Sequence, residues 1–161
     1  MFSSSDRPAD LEQALSFRSV IGYIEKALSI ENFERVRMEH ERMRPDQLWI
    51  LPMKKILIIE DEASIRRVLT KILSEENGTY QVEEAEDGVQ GLEKIKNSDY
   101  DLVLCDIKMP KMDGEELLEA VKKIKPEIPI VMISGHGDME TAINTMRLGA
   151  FDYISKPPDL N

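Results

Sequence analysis

Cysteine occurs once among the 161 residues, at Cys105, so no disulfide can form within the chain. No stretch of 18 or more apolar residues occurs and no secretory leader is recognisable, so neither a spanning helix nor export is expected. Basic residues are scarce: 21 Lys and Arg stand against 31 Asp and Glu, a net charge of −10. No Lys/Arg run is long enough to track a phosphate backbone, and an acidic chain repels nucleic acid and anionic lipid. These absences exclude direct nucleic-acid contact and membrane binding by these residues, and they fit a cytoplasmic protein.

What is present is ordinary for a globular chain: 42% hydrophobic and 32% charged residues, on the scale of one domain with an extension. Composition changes near Pro52. Before it, Phe17, Val20, Ile21, Ile24 and Leu28 recur at helical spacing, which predicts an amphipathic helix that Ser29 interrupts and Pro45 ends. Residues 1–52 form a helical N-terminal extension in this reading, and 53–161 a second unit. The split of charge agrees with two units. Residues 1–52 hold nine acids and seven bases, net −2, and residues 53–161 hold 22 and 14, net −8.

After Met53 the rhythm is strand then helix. Strands are expected over 55–60, 80–86, 101–106, 128–134 and 150–155, and helices over 64–76, 89–97, 114–123 and 139–148. Ser64 is the expected cap of the first helix, and Asn77-Gly78 its stop. Only the second strand alternates apolar with polar residues, which suits a sheet edge; the others are continuous apolar runs, as in a sheet covered on both faces. The expected fold is α/β: a flavodoxin-like, doubly wound, five-stranded parallel sheet in the order 2-1-3-4-5.

In such a sheet, ligands bind beyond the carboxyl ends of the strands. Here the first strand ends in Glu60-Asp61-Glu62, the third in Asp106, the fourth in Ser134-Gly135-His136 and the fifth in Ser155-Lys156-Pro157. Carboxylates gathered there repel by roughly 4 kcal/mol per pair at 4 Å and an effective dielectric near 20. A hard divalent cation with oxygen ligands relieves this, and Mg²⁺ binds through one or two carboxylates plus phosphate oxygens. Asp106 could then accept a phosphoryl group as an acyl phosphate, with Lys156 and the Ser134 hydroxyl on the phosphoryl oxygens. Cys105 reads as a small buried strand residue rather than a redox thiol. Phe151 reads as core packing, Tyr153 as a side chain able to move, and Met132 and Met146 as core or helix surface.

The motifs EDE (60–62), DIKMPKMDG (106–114), SGHG (134–137) and SKPP (155–158), all in order, make residues 53–161 resemble a response-regulator receiver domain of two-component signalling. The wording SGHGDMETAINTMRLGAFDYISKP is most similar to receivers of nitrogen-regulation-type transcriptional activators. The resemblance implies that Glu60 and Asp61 hold Mg²⁺ with Asp106 and the Lys108 carbonyl, and that Asp106 takes a phosphoryl group from a sensor histidine kinase. It further implies Ser134 and Tyr153 as a switch pair, Lys156 as the phosphate-sensing lysine, a cis bond at Lys156-Pro157, and a downstream output domain or protein. His136 could tune phosphate lifetime or be a loop histidine.

Two other function classes stay open at this point. A Mg²⁺-dependent phosphohydrolase with an aspartyl nucleophile usually carries a second Asp two residues on, where this chain has Lys108. An inert acidic interaction module usually loses one of the acids, and Glu60, Asp61 and Asp106 are all intact.

Receivers end in a helix after the Lys-Pro loop, and this sequence stops at Asn161. One flank of the sheet is then expected to be apolar and open. Arg7-Pro8-Ala9-Asp10-Leu11 echoes Lys156-Pro157-Pro158-Asp159-Leu160, so residues 1–52 could supply that helix within the chain or to a neighbour, giving a homodimer or swapped dimer. They could equally be the tail of an upstream unit. His40, in MEHERMRP, loosely resembles a histidine-kinase phosphoacceptor box, which leaves a relay from His40 to Asp106 open against an exposed helix histidine.

Overall fold

The computed structural model describes residues 54–75, 80–135 and 139–155; the N-terminal extension with His40, and His136, Lys156 and Pro157, lie outside them. The strands are β1 (Lys54–Ile59), β2 (Tyr80–Ala85), β3 (Leu102–Asp106), β4 (Ile130–Ser134) and β5 (Asp152–Ser155). The helices are α1 (Ala63–Glu75), α2 (Gly88–Asn97), α3 (Gly114–Ile124) and α4 (Met139–Arg147). All strand pairs are parallel, in the order β2-β1-β3-β4-β5, so β2 lies at an edge as its alternation predicts.

Period-two geometry splits each apolar strand between two layers. Ile56 and Ile58, Leu102 and Leu104, and Val131 and Ile133 form one core with Ile65, Leu69 and Leu73 of α1. Leu57 and Ile59, Val103 and Cys105, and Ile130 and Met132 form the other, with Ile95 of α2 and Leu117, Leu118 and Val121 of α3. These strand and helix positions are all buried. Burying one such side chain contributes about 1.5–3 kcal/mol, and truncating Leu104 to Ala is expected to cost about 2–5 kcal/mol because a cavity remains.

Local capping fixes where the helices start. At α3, Asp113 accepts from the Glu116 N–H at 2.9 Å and Glu116 returns the bond to the Asp113 N–H at 3.1 Å, a reciprocal box that satisfies two helix-end donors. At α2, Asp87 accepts from the Gln90 N–H at 2.9 Å. At α1 the expected cap is corrected. The Glu62 carbonyl accepts the Arg66 N–H, so Glu62 precedes the helix and Ser64 lies within its first turn, its hydroxyl donating to the Glu62 carboxylate at 2.7 Å.

The expected core packing of Phe151 is also corrected. Phe151 is exposed, whereas Tyr153 packs against the α2–α3 core. Phe151 precedes β5, its N–H bonding the Ile130 carbonyl, and so lies outside the strand from which Tyr153 reaches that layer.

Candidate functional site

Parallel pairing brings the acids together. Ile59 pairs with Cys105, so the next residue on each strand, Glu60 and Asp106, emerges at the same end of the sheet. Asp106 in turn pairs with Ile133, which places Ser134 one residue further on the neighbouring strand. Glu60, Asp106 and Ser134 are buried; Asp61 and Lys108 are exposed. One carboxylate oxygen from each of Glu60, Asp61 and Asp106 lies within 4.8 Å of the others.

The backbone fixes these acids before any ligand arrives. The Glu60 N–H donates to the Ala85 carbonyl at 3.1 Å, continuing the β1–β2 ladder, and the Glu62 N–H donates to Glu60 Oε1 at 3.2 Å. Asp106 Oδ1 accepts from the Ile107 N–H at 2.9 Å. Gly114 is there because nothing larger fits: a Cβ would lie 2.4 Å from the Asp106 carbonyl oxygen. The Gly114 N–H donates to the Ile107 carbonyl at 2.8 Å, and the loop from 107 to 113 is closed between β3 and α3.

The donor set suits a small hard cation. It consists of carboxylate oxygens, with no soft ligand, and its spacing lets all three reach one ion in the range of Mg²⁺ chemistry. Cys105 stays out of this chemistry. Burial, then the charges of Asp106 and Glu60, push its thiol well above the ordinary range, and Sγ donates to the Asp106 carbonyl at 3.2 Å. A neutral, enclosed thiol is a packing residue.

Two residues around the site were given no role by the sequence: Arg66 lies outside every motif, and Lys111 lies within DIKMPKMDG with no partner indicated. Arg66, on α1, is buried; its Nη1 donates to the Glu60 carbonyl at 2.7 Å and its Nε meets Glu84 Oε2 at 3.0 Å. Lys111 pairs with the buried Asp87 at 2.6 Å. Residue type alone does not mark these; their partners lie on other elements.

Residues 56–161 match the family model for the response regulator receiver domain. The chain belongs to that family. This receiver is 38% identical over 106 residues to the transcriptional regulatory protein ZraR of Klebsiella oxytoca, covering 66% of this chain and 24% of ZraR. It is 40% identical over 104 residues to the nitrogen assimilation regulatory protein NtrX of Azorhizobium caulinodans, covering 63% of this chain and 22% of NtrX. The receiver thus spans about a quarter of the curated relatives it matches. Among solved structures it resembles a CheY-like receiver domain protein of Methanospirillum hungatei JF-1, with TM-score 0.62, 39% identity, and 66% and 83% of the two chains covered. It also resembles a Borrelia burgdorferi CheX–CheY complex with BeF₃ and Mg²⁺, with TM-score 0.61, 30% identity, and 65% and 78% covered. The sheet order of the receiver is the one expected, and no helix among its described residues is long and apolar enough to cross a membrane.

Proposed function

We propose that this receiver takes a phosphoryl group from the phosphohistidine of a sensor histidine kinase onto Asp106. The observation that carries the reading is the convergence of Glu60, Asp61 and Asp106 within 4.8 Å at the sheet's carboxyl end. Glu60, Asp61, Asp106 and the Lys108 carbonyl would hold Mg²⁺, which neutralises charge on the transferring group and on the acids around it. An Asp106 carboxylate oxygen attacks phosphorus, the P–N bond to the donor imidazole breaks, and the imidazole departs. Transfer of this kind depends on positioning, and the Ile107 N–H bond at 2.9 Å to Oδ1 helps to orient the Asp106 carboxylate.

The phosphoryl group adds about −1.5 to −2 charge at the end of β3. Ser134, buried one strand away, would donate to it, and Lys156 would pair with another of its oxygens. Tyr153, packed on the core beside β4, would re-seat as Ser134 moves, changing the surface of α4 and β5. That surface is the one read by an output domain or partner protein. A cytoplasmic setting and self-catalysed loss of the group belong to the same reading.

Intact mass after incubation with acetyl phosphate and Mg²⁺ tests it. One added phosphoryl is expected on the wild-type chain and none on Asp106→Asn. Uptake by Asp106→Asn at the wild-type rate would defeat the assignment, and steady turnover of external phosphoesters would favour a phosphohydrolase instead.

A further inference from the structure

We infer that Arg66 is a positioning residue for the acidic pocket, setting its affinity for the divalent cation through the backbone of the two acids rather than through charge. The inference rests on the receiver reading for the identity of that cation. Arg66 projects from the first turn of α1 beneath the loop that carries Glu60 and Asp61. Its Nη1 donates to the Glu60 carbonyl at 2.7 Å and, at a longer 3.5 Å, to the Asp61 carbonyl. The same planar group meets Glu84 at 3.0 Å through Nε and Glu86 at 3.5 Å through Nη2. Thr70, one turn further along α1, donates to the second Glu84 oxygen at 2.6 Å, so Glu84 is held between two α1 side chains.

One guanidinium therefore ties three elements together: the β1–α1 loop, α1 and the end of β2. Only 10% of its side chain is accessible, so the bond to the Glu60 carbonyl is made away from most competing water, while Glu84 is half-buried. The carbonyls that accept from it belong to the two residues whose side chains face Asp106. Freed of Arg66, their peptide units could rotate and carry the carboxylates out of register with Asp106. Partners that orient metal ligands typically change metal affinity by about 10–100-fold when removed.

The sign of the effect separates positioning from simple electrostatics. A cation near a carboxylate pocket repels Mg²⁺, so an Arg66 acting by charge alone would make Arg66→Ala bind Mg²⁺ more tightly. Positioning predicts weaker binding. Arg66→Lys sharpens the contrast, because it keeps the charge and removes the fork that reaches the Glu60 carbonyl and Glu84 together.

The experiment is calorimetric titration of Mg²⁺ into the full chain, wild type against Arg66→Lys, Arg66→Ala and Glu84→Gln, with thermal melts to establish folding. The dissociation constant is expected to rise about 10-fold in Arg66→Lys and Arg66→Ala, and in the same direction in Glu84→Gln. Phosphoryl uptake from acetyl phosphate should recover toward the wild-type rate as Mg²⁺ is raised to saturation. An unchanged or lower dissociation constant in a folded Arg66 variant overturns the inference. If the Arg66 variants do not fold, Glu84→Gln decides by the same criterion. A wild-type chain that binds Mg²⁺ but takes no phosphoryl group would defeat the receiver chemistry alone, leaving the titrations to judge Arg66.

Discussion

The ammonium of Lys111 lies 2.6 Å from the carboxylate of Asp87, joining the loop after β3 to the N-terminus of α2 across 24 residues of sequence. Lys111 makes this contact from the left-handed region of backbone space, at φ 68°, a conformation that a side chain disfavours and glycine does not. Next to it, Gly88 leaves room for Met112: a Cβ there would lie 2.5 Å from the Met112 carbonyl oxygen. The loop that follows Asp106 is thus seated against α2 by an ion pair and a close backbone approach.

Two substitutions separate the ion pair from the backbone conformation. Lys111→Ala loses the contact and keeps the unfavourable φ, whereas Lys111→Gly loses the contact and relieves it. Urea unfolding should place the midpoint of Lys111→Gly above that of Lys111→Ala. The reverse order would mean that the loop changes its backbone path once the pair is gone.

The pair also has a defined pH response. The hydrogen bond from Lys111, and next the Gln90 N–H, hold the Asp87 carboxyl below its ordinary 3.8. A carboxyl lowered in the folded state contributes stability above 3.8 that is lost as pH falls through the folded-state value beneath it. Lys111, raised from 10.5 by the same contact with Asp87, contributes fully below 10.5 and loses its share as pH climbs through its folded-state value. The difference in urea midpoint between wild type and Lys111→Met should be flat from about pH 5 to 9 and shrink outside that range. A difference that changes steeply near neutral pH would point to another titrating group.

Gly114 and Gly91 should behave differently although both are crowded. At Gly114 a Cβ would lie 2.4 Å from the Asp106 carbonyl oxygen, which belongs to the backbone and cannot give way. At Gly91 it would lie 2.4 Å from Ile59 Cδ1, the far end of a flexible side chain. Gly114→Ala is expected to cost about 1–3 kcal/mol and to weaken Mg²⁺ binding. Gly91→Ala should cost less and leave Mg²⁺ affinity unchanged. Chemical denaturation and metal titration of the two variants provide the check.

Mg²⁺ should stabilise the folded chain by linkage, because the unfolded chain does not gather the three acids. At roughly ten times its dissociation constant the ion adds about 1.4 kcal/mol. Asp61 is exposed, so Asp61→Asn should leave the metal-free melting temperature nearly unchanged while removing most of the Mg²⁺-dependent rise. An equal rise in the variant would remove Asp61 from the ligand set.

Chain order carried much of this molecule. Apolar runs such as Leu102–Cys105 can be buried only as inner strands, and the turn chemistry of Asp113-Gly114 marks a helix start, so the alternation of elements and the acidic ends of β1 and β3 are legible from residue type and spacing. Residue identity failed where two local solutions were nearly equal. Ser64 is a good cap, but the Glu62 carbonyl already accepts the Arg66 N–H, so the helix has begun before Ser64 is reached. Phe151 and Tyr153 are both aromatic and two residues apart, and the place where β5 begins, after Phe151, decides which one packs on the core.

The sequence by itself determined the periodicities, the breaks and the stock of acids, because those depend on neighbours a few residues apart. Tertiary structure alone decided that Glu60, Asp61 and Asp106 share one pocket, that Arg66 reaches Glu60 and Glu84 together, and that Lys111 finds Asp87. Each of these contacts depends on distances set by parallel pairing and helix packing, and a string of residues carries no distance until the sheet has assembled.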